Sequence, residues 1–556
     1  MKKTYLTLCC IFLLQSLVSS QEKLILTTDR DIYIGGESIW FTVNNICNET
    51  FRNSDLSKVT YLEVLNSVNT PIIQQKLFLS EGSVTSMVTI PDSVSTGNYL
   101  VRCYTRWMSN YSPDNYEAKV ISIINPFANN SLPQQSVDEG MGDQEAVVYP
   151  KKNISGIEGL KATYTNRQKV KVDLDVENLN WNSLTVSVVK TCLYKPVDFS
   201  SAGSSSVFAV DGTMKVPEYK GEIIKGRVIN TNTNEFLVNE KMMLSFLSEN
   251  PVLEFSETNE KGEFVFEANR FGRQEMVIQP YSPDTALLNY KIELEDNYSG
   301  HYSTREMPAL DLDTVRVNEI NKAIINMQIN TIYASHMPEI ELADSIEQIH
   351  SFYGDAENTI LIDKYIDLPT TEEVVREIVP YVSLRKSKGQ YDFRVYEEKS
   401  LYPRDGGSLT FVDGVPVRDA NRILGIDPKY LEKIDVINLN YYIRDENLGR
   451  LVLFYTREND MGNMDFDQRI FRQVHDGFLN SYTYDSPDYS MDKLEKSRLA
   501  DYRNVLYYSS YNHLNDKKKV GIEFYTGDDS SDYTMIITGV NKKGEKEVLT
   551  RSFAVQ

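Results

Sequence analysis

The sequence lacks a second long apolar run. After the first twenty residues no stretch reaches eighteen consecutive apolar residues, roughly the length a helix needs to cross a bilayer. No membrane-spanning segment is therefore expected in the processed chain. Histidine is scarce: His301, His336, His350, His475 and His513 are scattered. None forms the His-Glu-x-x-His pair that holds a catalytic zinc on one helix face. There is no Gly-x-Ser-x-Gly nucleophile elbow and no Gly-rich phosphate loop. A strongly basic run is missing, and the net charge is −21, which argues against nucleic acid as a partner. The acidity is spread along the chain, as solubility requires. These absences predict no catalytic residues, no cofactor and no metal, and so no enzyme.

Cysteine is sparse as well. Cys9 and Cys10 lie in the N-terminal apolar run, which leaves Cys47, Cys103 and Cys192. An odd count leaves one thiol over. Cys47 ends one apolar strand and Cys103 sits inside another of the same predicted sandwich. They are a candidate disulfide in an oxidising compartment; the alternative is three buried, small, apolar side chains.

What is present begins with an export signal. Lys2 and Lys3 precede the apolar core Leu6–Leu14, and Val18-Ser19-Ser20 supplies small residues for cleavage. Residues 1–20 read as a secretory signal peptide, with a mature start near Gln21. Cys9 and Cys10 fall inside the apolar core rather than at its end, so soluble export is expected rather than a lipidated form. About 536 residues remain, enough for four or five domains. The 35 tyrosines outnumber the 22 phenylalanines, which suits β structure with polar-tipped aromatics.

Strand-like alternation and turn signals divide the chain. Residues 22–126 read as one β-sandwich, with Trp40 and Trp107 as core aromatics. Its opening TDRDIYIGGESIWF and closing TGNYLVRCYTRWM resemble macroglobulin-like domains of large secreted bacterial proteins. A polar linker, 127–149, follows. Residues 150–215 give a second β domain with QKVKVDLDVENL and SLTVSVVKT. Residues 219–300, with GEIIKGRVIN and TNEKGEFVFE, resemble the carboxypeptidase regulatory-like sandwich. There Asn259-Glu260-Lys261-Gly262 is the expected hairpin turn, with positive φ at Gly262. Residues 305–369 form a helical or irregular connector. Thr370 is the expected N-cap of a helix, with Glu373 three positions on. Residues 459–505 read as irregular, and 506–556 as closing immunoglobulin-like strands. The fold class is mainly β: a string of sandwiches with one small α/β domain.

That α/β domain, 370–458, carries the most specific pattern. LTFVDGVPV gives an apolar strand into Asp413-Gly414, a tight-turn dipeptide. A short amphipathic segment with Ile423, Leu424 and Ile426 follows, then a strand pair, Ile434–Leu439 and Leu451–Tyr455. The order resembles the plug domain of TonB-dependent outer-membrane receptors. In those a barrel of roughly twenty-two strands follows. Here 101 residues follow Tyr455, too few at about ten residues per spanning strand.

Taken together, the chain resembles Bacteroidota envelope proteins that join macroglobulin-like, regulatory-like and plug-like modules. Thioester macroglobulins carry Cys-Gly-Glu-Gln, whereas Cys192 is followed by Leu-Tyr-Lys, which excludes thioester trapping. Asp-Ser/Thr motifs resemble the O-glycosylation acceptor of this phylum and nominate Ser93, Thr285, Thr314 and Ser345. The resemblance implies export to the periplasm or to a face of the outer membrane. It further implies a non-catalytic accessory subunit of an outer-membrane assembly, export or uptake complex. The implied partner is an outer-membrane β-barrel protein or complex. Loops on a rigid scaffold usually carry recognition. The expected docking surface is therefore Asp413, Gly414, Val415, Pro416, Arg418, Asp419, Tyr441 and Tyr442. The alternative is a carbohydrate- or peptide-binding module serving nutrient uptake.

Overall fold

Lys169–Asp175 and Lys519–Tyr525 are each buried at every second residue, the signature of strands with one face on a core. They pair with each other: Val170 lies opposite Phe524, Val172 opposite Ile522 and Leu174 opposite Val520. Segments that the sequence reading assigns to two domains, 150–215 and 506–556, are thus halves of one sandwich. Its second sheet runs in the order Thr163–Tyr164, Lys546–Val555, Asp532–Asn541, Trp181–Lys190, Val505–Tyr511. The physical reason is burial. Each segment alone leaves an apolar face open, and pairing closes both around one core that includes Trp181, Val186, Ile522, Met535 and Phe553.

The computed structural model describes residues 22–127, 156–177, 179, 181–197, 214–282, 285, 289–312, 314–332, 351–397, 408–490, 499–514 and 517–556. The expected signal peptide, the expected linker beyond Phe127 and Ser345 lie outside them. The chain is mainly β, 48% strand and 11% helix. It forms two compact units. The first comprises residues 1–221, 298–346 and 478–556, and the second 222–297 and 347–477.

The first unit holds the sandwich just described and the sandwich of residues 22–124. The latter has a three-stranded sheet, Glu22–Thr28, Ser38–Cys47 and Ser83–Thr89. Its six-stranded sheet is completed by the short strand Phe478–Leu479, parallel to Pro71–Phe78. Glu22, at its N-terminal edge, is 6% exposed. Its carboxylate accepts from Asn45 Nδ2 (2.7 Å), Ser57 N (2.9 Å), Ser57 Oγ (2.7 Å) and Thr105 Oγ1 (2.9 Å), which is how a buried carboxylate is tolerated. Trp40 is a core aromatic as expected, set edge-on to Tyr484 at 5.2 Å; Trp107 is half-buried. The helix Thr314–Ile332 packs Ile320, Ala323, Ile324 and Met327 against Ile32, Ile34 and Leu193.

The second unit holds a sandwich and a mixed sheet. In the sandwich, Glu222–Asn230 pairs with Glu263–Ala268, while Lys241–Phe246 pairs with Leu253–Glu257. The turn at Asn259–Gly262 therefore passes between two sheets instead of closing a hairpin. Gly262 has φ +66°, and a Cβ there would sit 2.8 Å from Val228 O. Phe471–Asp476, read as irregular from sequence, adds a fourth strand beside Arg273–Pro280. Most of its side chains are exposed, so no burial alternation marks it.

The mixed sheet runs Asn358–Leu361, Leu431–Ile443, Glu446–Thr456, Leu409–Val412, Val415–Pro416. Its first strand falls in what the sequence presents as a connector. Thr370 caps the helix Thr371–Glu377 through its side chain, accepting from Glu373 N at 3.2 Å. That helix, Ala420–Leu424 and the hairpin Val382–Ser387/Gln390–Val395 cover one face, over Val412, Ile434, Val436, Val452 and Phe454. Phe411, Ile437, Leu451, Leu453 and Tyr455 on the other face pack against Met243 and Leu253 of the sandwich. The sheet is buried on both sides, which the unbroken apolar run Leu451–Tyr455 encodes.

Candidate functional site

Asp413 and Gly414 have φ of +46° and +84°. They join Leu409–Val412 to Val415–Pro416, with Val412 opposite Val415. Positive φ at both central residues is the two-residue hairpin turn that the Asp-Gly dipeptide favours. Its placement differs from expectation. Asp413, Gly414, Val415 and Pro416 are all buried, so they are not a docking surface.

The cause lies in the partners of Asp413. Its carboxylate accepts from Thr456 N (2.7 Å), Thr456 Oγ1 (2.6 Å) and Met461 N (2.8 Å). Burial raises its pKa, and these hydrogen bonds hold the rise back. Its carbonyl accepts from Ser248 N at 3.0 Å. A Cβ on Gly414 would meet Phe246 O at 2.9 Å, Pro251 Cβ at 3.1 Å and Ser248 O at 3.2 Å. The turn is thus a structural key between the mixed sheet and the sandwich. The remaining candidates are accessible. Arg418, Asp419 and Tyr442 are exposed and Tyr441 is half-buried. The Tyr441 hydroxyl donates to Phe352 O.

Arg418 and Asp419 border a cleft of about 440 Å³. Tyr290, Tyr391 and Phe466 supply ring surface, and Gln279, Arg422 and Arg469 supply polar groups. Arg469 is held by Asp467, at 2.5 Å from Nη2 to Oδ2. Arg422 lies 3.6 Å from Asp419 and 3.7 Å from Asp465. Arg418 donates through Nη2 to Pro280 O (3.0 Å) and to Tyr281 O. No carboxylate pairs with it among the described residues, and although the residue as a whole is exposed, partial desolvation of its guanidinium lowers its pKa. Of this cleft the sequence analysis named Arg418 and Asp419 alone. Gln279, Tyr290, Tyr391, Phe466 and Arg469 come from distant segments with no local motif.

The other calls resolve individually. Cys103 is a fully buried free thiol, so no Cys47–Cys103 bridge forms. Cys47 ends a strand of the three-stranded sheet opposite Glu22, and Cys103 sits in the six-stranded sheet opposite Leu62 and Glu117. Burial raises the thiol pKa of Cys103. Ser93 is exposed, as an acceptor must be. Thr285 is 5% exposed, which leaves a glycan no room in the folded unit. Thr314 opens a helix. Among the described residues no group of three or more His, Cys, Asp or Glu could hold a metal, and no helix is long and apolar enough to cross a membrane.

No protein-family model matches the chain, and no curated protein matches it in sequence. Over 97% of its length it aligns with a mutant of Salmonella alpha-2-macroglobulin, at TM-score 0.24 and 8% identity, covering 40% of that chain. The native E. coli alpha-2-macroglobulin gives the same values. The D0-D1 domain of intimin aligns over 51% of the chain and all of its own length, at TM-score 0.14 and 10% identity. The chain thus spans about two fifths of the length of the alpha-2-macroglobulins it resembles.

Proposed function

We propose that this chain is an exported, non-catalytic interaction protein, an accessory subunit of an outer-membrane assembly, export or uptake complex with a β-barrel partner. The sequence likeness to a receptor plug motivates the partner class. The observation that carries the reading is an exposed sheet edge. Phe471–Asp476 ends its four-stranded sheet, and Arg472, Gln473 and Val474 on it are exposed. Val474 is 47% exposed, an apolar side chain on an open edge. Such an edge pairs with an added strand by main-chain hydrogen bonds. The buried Asp413–Gly414 turn has no part in this role.

A photo-crosslinking residue at Val474, with one at Ser93 as control, tests it in intact envelopes. The reading expects adducts to a β-barrel chain at position 474 and none at 93. Adducts at neither, or a chain that fractionates with the cytoplasm, would contradict it. A second reading, binding of a small ligand, is favoured by the cleft beside Arg418.

A further inference from the structure

The cleft has a polarity that edge pairing does not use. Gln279 is 3% exposed, and it lines the cleft. Its Nε2 donates to Pro416 O at 3.0 Å. Its Oε1 has no hydrogen-bond partner among the described residues. That oxygen keeps some contact with solvent, so a donor entering the cleft can reach it. Arg418 engages carbonyls through Nη2 alone, which leaves Nε and Nη1 for an anion. Three arginines and two aspartates line the cleft. Their balance is one positive charge, and Arg418 is the cation without a carboxylate. Phe466, Tyr290 and Tyr391 line the cleft; Arg472 covers one face of Phe466 and Lys386 one face of Tyr391, and the Tyr290 hydroxyl has no hydrogen bond among the described residues.

We propose that this cleft binds a hydroxylated ring bearing one carboxylate, the chemistry of a uronic acid. Its carboxylate pairs with Arg418, and a ring hydroxyl donates to Gln279 Oε1. The volume of about 440 Å³ falls within the roughly 300–1,000 Å³ of small-molecule sites. A bare inorganic anion would leave the ring faces and Gln279 unused. A neutral sugar would leave Arg418 unmet, whereas a planar guanidinium is suited to a carboxylate.

The inference rests on the binding reading of the cleft and is separable from the edge-strand reading. Crosslinking at Val474 with no uronate binding sinks only this inference; the converse sinks only that reading. The experiment is calorimetric titration of the mature chain with sodium D-glucuronate, D-glucose and the dipeptide Ala-Ala. Glucuronate is expected to bind, with glucose at least about tenfold weaker, because a charge-assisted hydrogen bond is lost. Arg418→Met should weaken glucuronate binding at least about tenfold and Arg418→Lys should recover part of it. Because Arg418 also holds two carbonyls, Phe466→Leu serves as a second variant, expected to weaken binding severalfold; its melting is recorded alongside, since Phe466 also packs on the core and under Arg472, and binding is compared at a temperature where the variant is folded. The proposal is overturned if glucose binds as well as glucuronate, if Ala-Ala binds more tightly, if Arg418→Met changes nothing, or if no uronate binds at all.

Discussion

Alanine at Gly414 and at Gly449 separates backbone strain from packing. Both glycines lie in the second unit with positive φ, +84° and +69°. A left-handed conformation costs an L-residue roughly 1–2 kcal/mol, and both variants carry that. They differ in surroundings. A Cβ at Gly449 meets nothing within 4 Å, whereas at Gly414 it meets Phe246 O at 2.9 Å and Ser248 O at 3.2 Å. Those are backbone atoms, which cannot rotate away, and overpacking of this kind adds about 1–3 kcal/mol. Gly414→Ala should thus cost about 2–5 kcal/mol and Gly449→Ala about 1–2 kcal/mol. All three tryptophans, Trp40, Trp107 and Trp181, lie in the first unit, so their fluorescence does not report directly on this change. Native-state hydrogen exchange of peptides covering Lys241–Phe246 and Leu409–Val412 does, because protection reads the local opening free energy. The strands should exchange about tenfold faster in Gly414→Ala than in Gly449→Ala, each 1.4 kcal/mol being a factor of ten. Equal exchange in the two variants would refute the packing of the turn against residues 246–251.

Two further outcomes follow from buried sites in the first unit. A Cβ at Gly539 would lie 2.1 Å from the Trp181 ring, so Gly539→Ala should displace that ring and shift tryptophan emission in the folded protein. An unchanged spectrum and melting curve would contradict the contact. Asp29 is fully buried, and burial raises its pKa to about 6 against the opposing pull of Arg30. A raised carboxyl pKa contributes stability that is complete below the unfolded value of 3.8 and is lost as pH rises through about 6. The unfolding free energy of the wild type, read by denaturant titration, should therefore fall relative to that of Asp29→Asn between pH 4 and 6, by an amount on the order of 3 kcal/mol. Parallel profiles would show that Asp29 is ionised throughout.

Local chemistry was legible in the sequence, and distant pairing was not. Asp413-Gly414 announced its turn because that dipeptide accepts positive φ at both positions, and Thr370 announced its cap through Glu373. What the turn faces depends on Thr456, Met461 and Ser248, which no local rule connects to it. The clue that was available is the unbroken apolar run Leu451–Tyr455, which marks a strand buried on both faces. The alternation in Lys169–Asp175 predicted a half-buried strand. Its partner, Lys519–Tyr525, lies more than 300 residues away. The cleft follows the same rule: Gln279 and Arg418 meet only because the sandwich packs on the mixed sheet.

The central claim is that the Asp413–Gly414 hairpin is internal to the second unit, while the exposed candidates lie at Arg418 and Tyr442. Thiol labelling tests it most directly. Val415→Cys and Tyr442→Cys are made separately in the chain from Gln21 onward with Cys47 and Cys192 changed to serine, and each is treated with a maleimide under native conditions. Val415 is 0% exposed and Tyr442 57%. Cysteine at position 442 should label at once, and cysteine at 415 only after denaturant is added. Labelling of both at the same rate in the native protein would contradict the account.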